Sequence, residues 1–444
     1  MEAVEEIVIV GAGIAGLTTA LGLHRLGIRS LVLESHDHLR TTGFALGIWT
    51  NGWKALDAVG VGESLRQQHN RLLRVMTASA ISGLRTAEIA LNAMGPQLSH
   101  LCLKLASQFS RCAPCFLMER TCWSVYCRRD HEFRCVQRKI LLETLEKELP
   151  SGTIKFSSKV VSIEESGCLK LIHLSDGSFL KAKLLIGCDG VNSALAKWLG
   201  FKKPASVGRF GIRACVYYEN GHDLEPKISL FMGKGVRYGV LPCDEKTIYW
   251  FFSFSPSSQD EEIIDNPAEI KQLVLSKLGK VADNIKAVIN DTELDNMMLS
   301  PLRFRHPWEI IWGNISKSNV CVAGDAFHPM TPDIAQGGCA ALEDGIVLAR
   351  CLGEALRDRQ VMRSEGKGIE EEDEHKRIER GLQNYAKERR WRAFQLITTA
   401  YMVGYMAQSD GKILNFLSNT VLAGFLAGRL PRIASYNCGM LRTS

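Results

Sequence analysis

The chain opens with a run that leaves little choice of fold. Ile7-Val8-Ile9-Val10 is a short apolar stretch of strand-forming residues, and Gly11-Ala12-Gly13-Ile14-Ala15-Gly16 follows without a spacer. Residues 17–26 then carry a helix-like pattern, and a second apolar strand, Leu31-Val32-Leu33, ends in Glu34. A strand, a glycine turn, a helix and an acid-tipped second strand make the first unit of a dinucleotide-binding sheet. Gly11 permits the tight turn, Gly13 lets a pyrophosphate approach the backbone, and Gly16 lets the helix pack closely on the strand. Free N–H groups at the helix start hold phosphate, and Glu34 stands where a carboxylate accepts ribose hydroxyls.

Two later segments repeat the theme of a buried strand ending in an acid and a glycine. Leu184-Leu185-Ile186-Gly187 leads into Cys188-Asp189-Gly190. Val320-Cys321-Val322-Ala323 leads into Gly324-Asp325-Ala326-Phe327-His328-Pro329 and on to Gln336-Gly337-Gly338. With these three motifs in this order, the chain resembles the FAD-dependent, NAD(P)H-using aromatic-ring hydroxylases, and within them the plant monooxygenases related to salicylate hydroxylase and zeaxanthin epoxidase. The similarity extends over most of the chain.

The resemblance implies FAD as cofactor, NADPH or NADH as co-substrate, and O₂ and a small aromatic or lipophilic molecule as reactants. One oxygen atom would be inserted by hydroxylation or epoxidation through a C4a-hydroperoxyflavin. It also implies roles for particular residues. Asp325 would bond the ribityl chain, Pro329 would lie beside the isoalloxazine ring, and Gly337 and Gly338 would present backbone N–H groups to its pyrimidine end. Asp189 and Gly190 would serve the FAD pyrophosphate and NAD(P)H, with Arg138 and Arg40 approaching the phosphates. The chemistry belongs to the cofactor, so no catalytic side chain is singled out. His328 beside the motif reads equally as an acid or base and as a prop for the loop. Relatives carry glycine before the Gln-Gly pair where this chain has Ala335, which predicts an altered path for that loop because alanine lacks glycine's access to positive φ.

Composition excludes several other classes. A 46% hydrophobic, 23% charged chain of 444 residues is ordinary for a globular protein with two or three domains. The net charge of +6 is spread along the chain rather than gathered into a basic stripe, so nucleic acid is not expected as a partner. The first strand begins too early to leave room for a leader, and no uninterrupted apolar run is long enough to span a bilayer, so a cytoplasmic location is expected. The oligomeric state is not encoded in any feature of the sequence. Five of the 14 cysteines fall between Cys102 and Cys127, but their spacing lacks the two tight pairs of a structural zinc site, and no metal is expected.

The fold class is therefore α/β: a Rossmann-like FAD-binding domain with an inserted mixed β-sheet substrate domain and C-terminal helices. Residues 1–72, 130–198 and 300–355 are assigned to the FAD-binding domain, 73–129 and 199–299 to the substrate domain, and 380–444 to the closing helices. Residues 92–126 lack a helical or strand period and read as an insertion, which raises the alternative of a catalytically impaired FAD-binding protein. Residues 266–288 read as one helix, 156–163 as a strand, and 364–380, dense in charge, as a loop or frayed helix end. The apolar stretch 396–428, broken by a polar turn, reads as two helices packed on the body, with docking on a membrane face as the sharper option. Arg213, Tyr238, Trp250 and Phe252, with Phe44, Trp49 and Trp53 from the flavin side, are candidate substrate liners. A flavin disulfide reductase is disfavoured because no cysteine precedes Cys102. A flavin amine oxidase would lack the Asp-Gly and Gly-Asp pair.

Overall fold

The computed structural model describes residues 4–91, 131–233, 235–257, 266–357, 367–408 and 430–442. The proposed insertion at 92–126, its cysteines and residues 409–429 of the apolar C-terminal stretch lie outside these.

Two large sheets organise the described chain. In the first, Val4–Val10 is central, paired in parallel with Leu31–Leu33 on one side and Phe179–Gly187 on the other. Val320–Val322 adds in parallel beyond Phe179–Gly187, and Ile154–Lys155 adds beyond Leu31–Leu33. Leu184, Leu185 and Ile186 are inaccessible to solvent, as are Val8 and Ile9, which is why these strands read as continuous apolar runs rather than alternating ones. The register sets Val10 opposite both Leu33 and Gly187, and Gly187 opposite Val322. Lys155 stands opposite Leu33, so all five parallel strands stop at one level, and the turns that follow them rise from the same edge of the sheet. This is where open parallel sheets bind ligands.

The second sheet has seven strands in the spatial order Met297–Phe304, Ala205–Tyr217, Thr247–Phe254, Val236–Pro242, Lys227–Gly233, Arg74–Ser79 and Arg85–Ala90. Its strands alternate. Ile248, Trp250, Phe252 and Phe254 pack with Ile270, Val274, Ile285 and Val288 of two helices, Pro267–Lys277 and Asp283–Asp291, in a second core. Tyr249 and Phe251 point the other way, into the main core shared with the nucleotide sheet. A small antiparallel pair, Ala45–Trp49 with Phe133–Gln137, bridges the two.

Several elements differ from their sequence reading. The stretch 266–288 is broken at Gly279, whose φ is +68° and where a Cβ would lie 1.9 Å from the Ala80 carbonyl oxygen, so the chain turns there into a second helix. The strand expected at 156–163 runs instead over Val160–Ser166, because Ser157 takes a positive φ and Ser158 donates its N–H to the Glu34 carbonyl. The charged segment read as a loop is helical from Lys367, the start of a 42-residue helix ending at Gln408. Buried Ile378, Leu382, Tyr385 and Arg389 recur on one face, and the Lys376–Glu372 pair lies one turn apart at 2.7 Å, so periodicity and local ion pairing outweigh the charge density. Leu396 and Val403 of the apolar stretch are buried on that same helix against Ile334 and Ala340, which bears out packing on the body for its described part. The strand Met297–Phe304 runs in the second sheet, so the crossing back to the first comes at Arg305. Among the described residues, no helix is long and apolar enough to cross a membrane.

Candidate active site

The common edge of the nucleotide sheet opens into a cavity of about 790 Å³, floored on its far side by the second sheet. Each motif identified in the sequence arrives there from a strand end. Gly11 has φ +103°, and a Cβ on it would lie 2.4 Å from the Cys188 carbonyl oxygen. A Cβ on Gly16 would meet the Gly11 carbonyl oxygen at 1.9 Å, so this glycine lets the helix Ile14–Arg25 sit directly on the turn. Gly13 is different: a Cβ there would meet no protein atom within 4 Å, yet the residue lines the cavity. The glycine spacing therefore serves two packing contacts and one open face.

Glu34 is buried and fixed at the tip of its strand. Its Oε2 accepts the Ala12 N–H at 2.8 Å and its Oε1 accepts the His36 N–H at 3.0 Å. Oε1 also accepts the Ser35 hydroxyl at 3.1 Å, so the lone pair left for a ribose hydroxyl is on Oε2. Arg40, Asp189, Gly190, Gly324, Asp325, Gly337 and Gly338 also line the cavity. Asp189 Oδ2 accepts the Ala194 N–H at 2.7 Å, while Oδ1 is buried without a partner, and burial pushes its carboxyl above the usual range.

Arg138 starts the helix Arg138–Lys147, with its own N–H held by the Phe44 carbonyl at 2.7 Å. Its Nε is buried and unpartnered. Burial lowers its pKa, Asp325 opposes that, and Arg40 and Arg213 add to it. Four arginines line the cavity; Arg237 is paired with Asp333, and Arg40, Arg138 and Arg213 stand with Asp325 beside them, an arrangement suited to an anion. An open glycine face, an orphaned arginine nitrogen and a strand-tip carboxylate together fit the pyrophosphate and ribose of a dinucleotide such as FAD.

Two expectations need correcting. Pro329 does not line the cavity; it is buried, and its carbonyl accepts the Arg305 N–H at 2.9 Å. Pro332, three residues on, lies at the cavity wall instead. The loop before Gln336 does not abandon its left-handed turn, because Ala335 adopts φ +50° and ψ +42°. Trp49 Nε1 bonds the preceding Ile334 carbonyl at 3.2 Å, so the surroundings hold an alanine where glycine would relax.

Arg213 lines the cavity, and on the strand Thr247–Phe254 the alternate residues Tyr249, Phe251 and Ser253, not singled out from sequence, line it too; Phe252 borders it although its ring packs in the second core. Tyr238 and Trp250 belong to the second core: Tyr238 stacks between Phe231 and Phe252, and Trp250 Nε1 donates to Thr292 Oγ1 at 2.8 Å. Trp49 is buried at the end of its strand in the small sheet and Trp53 in the helix that follows it, and Phe44 contributes a backbone carbonyl rather than a wall. His328 is fully buried with Nε2 2.6 Å from Asp344 Oδ2, so it props the loop and does not reach the cavity.

Two buried ionic groups were missed. Asp333 accepts Arg237 Nη1 at 2.7 Å and Arg209 Nη2 at 2.8 Å, tying the loop after Pro332 to the second sheet. Glu343 and Asp344 on the helix Gly337–Arg357 bond Arg389 and Arg392 of the C-terminal helix. The signal for the second was available, since two adjacent acids interrupt an otherwise apolar helix, and buried acids are rare unless paired.

Residues 5–364 match the family described as FAD binding domain. The chain is 47% identical over 437 residues to Monooxygenase 2 of Arabidopsis thaliana, covering 98% of each. It is 33% identical over 441 residues to Monooxygenase 1 of the same plant, covering 98% of this chain and 99% of the relative. Its fold is similar to that of Klebsiella pneumoniae HpxO, solved with FAD and uric acid, with a TM-score of 0.73 at 22% identity over 97% of this chain and 96% of that one.

Proposed function

The chain belongs to the FAD binding domain family and is an FAD-dependent monooxygenase, and from that premise we propose that it uses NADPH or NADH and O₂ to hydroxylate a small aromatic substrate bearing an anionic oxygen. Gly11, Gly13, Arg138 and Arg40 would hold the pyrophosphate of FAD, and Glu34 its adenosine ribose. Asp325 would take the ribityl chain, and Asp189 and Gly190 border the same groove. When bound, FAD supplies the reaction of its reduced form with O₂. The first turn of the helix Gly337–Arg357 presents N–H groups at Gly337 and Gly338, where a helix dipole stabilises negative charge. The sheet floor, Tyr249 and Phe251, keeps water from the reacting face.

The observation that carries the substrate class is the pairing of Arg213 with an aromatic floor. A guanidinium beside Phe251 suits a planar acid, whereas a long apolar chain would leave it unpaired and desolvated. Uric acid in the HpxO structure is a planar, acidic heteroaromatic of the same general kind. The reading of the chain as an impaired flavin protein finds no support, because relatives 47% and 33% identical to it are monooxygenases and Arg138, just past the segment in question, stands at the cavity.

The test is nicotinamide oxidation by the FAD-loaded enzyme with hydroxybenzoates and with neutral phenols of matching size. Acids should accelerate oxidation, and Arg213→Gln should raise KM for the best acid about 10- to 150-fold, the loss of one charge-assisted bond of about 1.5–3 kcal/mol. Equal stimulation by the neutral phenols, or an unchanged KM in the variant, would contradict the assignment.

A further inference from the structure

We infer that Arg389, on the C-terminal helix and outside the cavity, is a positioning residue for the cofactor-facing turn at Gly324-Asp325, acting through the carboxylate of Asp344. The inference rests on the reading that FAD occupies the cavity.

The contact path is continuous and buried. Arg389 Nε donates to Asp344 Oδ1 at 2.6 Å. Asp344 Oδ2 accepts the Gly324 N–H at 2.8 Å and lies 2.6 Å from His328 Nε2. The Asp344, Arg389 and His328 side chains are all fully buried. Gly324 has φ +59°, and its carbonyl accepts the N–H groups of Phe327 and His328, so the carboxylate holds both ends of a tight turn whose next residue, Asp325, faces the cavity. One helical turn before Arg389, Tyr385 donates its hydroxyl to the Val322 carbonyl at 3.0 Å. The same face of the C-terminal helix therefore grips the strand end and the turn that leaves it.

A second branch reaches the other cofactor-facing element. Arg389 Nη1 donates to Glu343 Oε2 at 2.7 Å, and Arg392 Nη2 to Glu343 Oε1 at 2.7 Å. Asn51 Nδ2 donates to Glu343 Oε1 at 2.6 Å and to Gln336 Oε1 at 2.8 Å, immediately before Gly337. Burial works against ionisation of both acids, but Arg392 and Arg389 around Glu343, and His328 and Arg389 around Asp344, outweigh it and hold both carboxyls below their usual range. Only a planar, forked donor spans both carboxylates at once, which a lysine ammonium does not reproduce. The C-terminal helix is thus part of the cofactor site, although none of its residues lines the cavity.

The experiment titrates FAD into apoprotein of wild type, Arg389→Lys, His328→Asn and Arg390→Met, following flavin fluorescence and the visible circular dichroism of the bound flavin. Arg390 is the control, because it lies on the same helix but bonds the Ile310, Ile311 and Gly313 carbonyls on the other side. Arg389→Lys should bind FAD at least tenfold more weakly and change the flavin dichroism, while Arg390→Met loses thermal stability with wild-type affinity and dichroism. His328→Asn alters a partner of the other carboxylate oxygen, Oδ2, which accepts the Gly324 N–H, and should shift the dichroism in the same sense; it carries the test if Arg389→Lys does not fold. Wild-type affinity and dichroism in Arg389→Lys, or equal weakening in Arg390→Met, would overturn the inference. A wild-type protein that takes up no FAD would instead overturn the reading of the cavity itself, and the inference with it.

Discussion

Asp333→Ala is expected to destabilise the protein by about 3–5 kcal/mol, the usual penalty for removing one partner of a buried ion pair. The side chain of Asp333 is 2% exposed and is shared by two guanidiniums that are themselves nearly buried, at 8% for Arg209 and 10% for Arg237. Arg237 also donates to the Asp333 backbone carbonyl at 2.9 Å, so the loop is held by both main chain and side chain. Burial disfavours the ionised carboxyl, and Arg237 and Arg209 outweigh it, leaving Asp333 below its ordinary value. Without the carboxylate, two cations remain in a space closed by the C-terminal helix, where a Cβ on Gly404 would fall 2.2 Å from Asp333 Oδ2. Asp333→Asn keeps an acceptor for one arginine and should lose less. Urea denaturation of the two variants against wild type measures the difference, and a loss under about 1 kcal/mol for Asp333→Ala would place the group among weak surface pairs instead.

The glycine turn should give opposite outcomes at two positions three residues apart. Gly13→Val adds a side chain where a Cβ touches no protein atom within 4 Å, so the apoprotein should fold with near-normal stability. The added methyls occupy the space over the helix start, and displacing a phosphate from it, at the roughly 1–3 kcal/mol typical of overpacking, should weaken FAD binding by about 5- to 150-fold. Gly16→Ala reverses the pattern. Its Cβ would lie 1.9 Å from the Gly11 carbonyl oxygen, a backbone atom that moves only if the helix lifts off the turn, so folding stability itself should fall. Thermal unfolding of the two apoproteins, read beside their FAD affinities, separates the effects. Loss of stability without loss of affinity in Gly13→Val would reverse the roles assigned to the two glycines.

What was legible in the sequence is what is encoded within a few residues. The strand, glycine turn and acid at positions 7–34 are local, and each falls at the cavity edge as the spacing requires. Strand parity was harder. Tyr238 and Trp250 read as liners because aromatic strand residues suit either face, and only the pairing of Val236–Pro242 and Thr247–Phe254 with helices behind them decides that these two point away. The proline assignment failed for a related reason: Pro329 and Pro332 flank the same short loop, and its path selects the second. Least legible were the ionic clusters, since Asp344 and Arg389 are 45 residues apart and Arg237 and Asp333 are 96 apart. Nothing local joins such partners; the two sheets and the long helix bring them together.

Equilibrium titration of the purified chain with FAD, followed by anaerobic addition of NADPH or NADH and then of O₂, bears most directly on the whole account. The geometry calls for one FAD per chain, bleached by the nicotinamide and restored by oxygen, with binding weakened in Glu34→Ala through the lost ribose contact. A chain that takes up no FAD, or whose bound flavin stays oxidised with both nicotinamides, would contradict it.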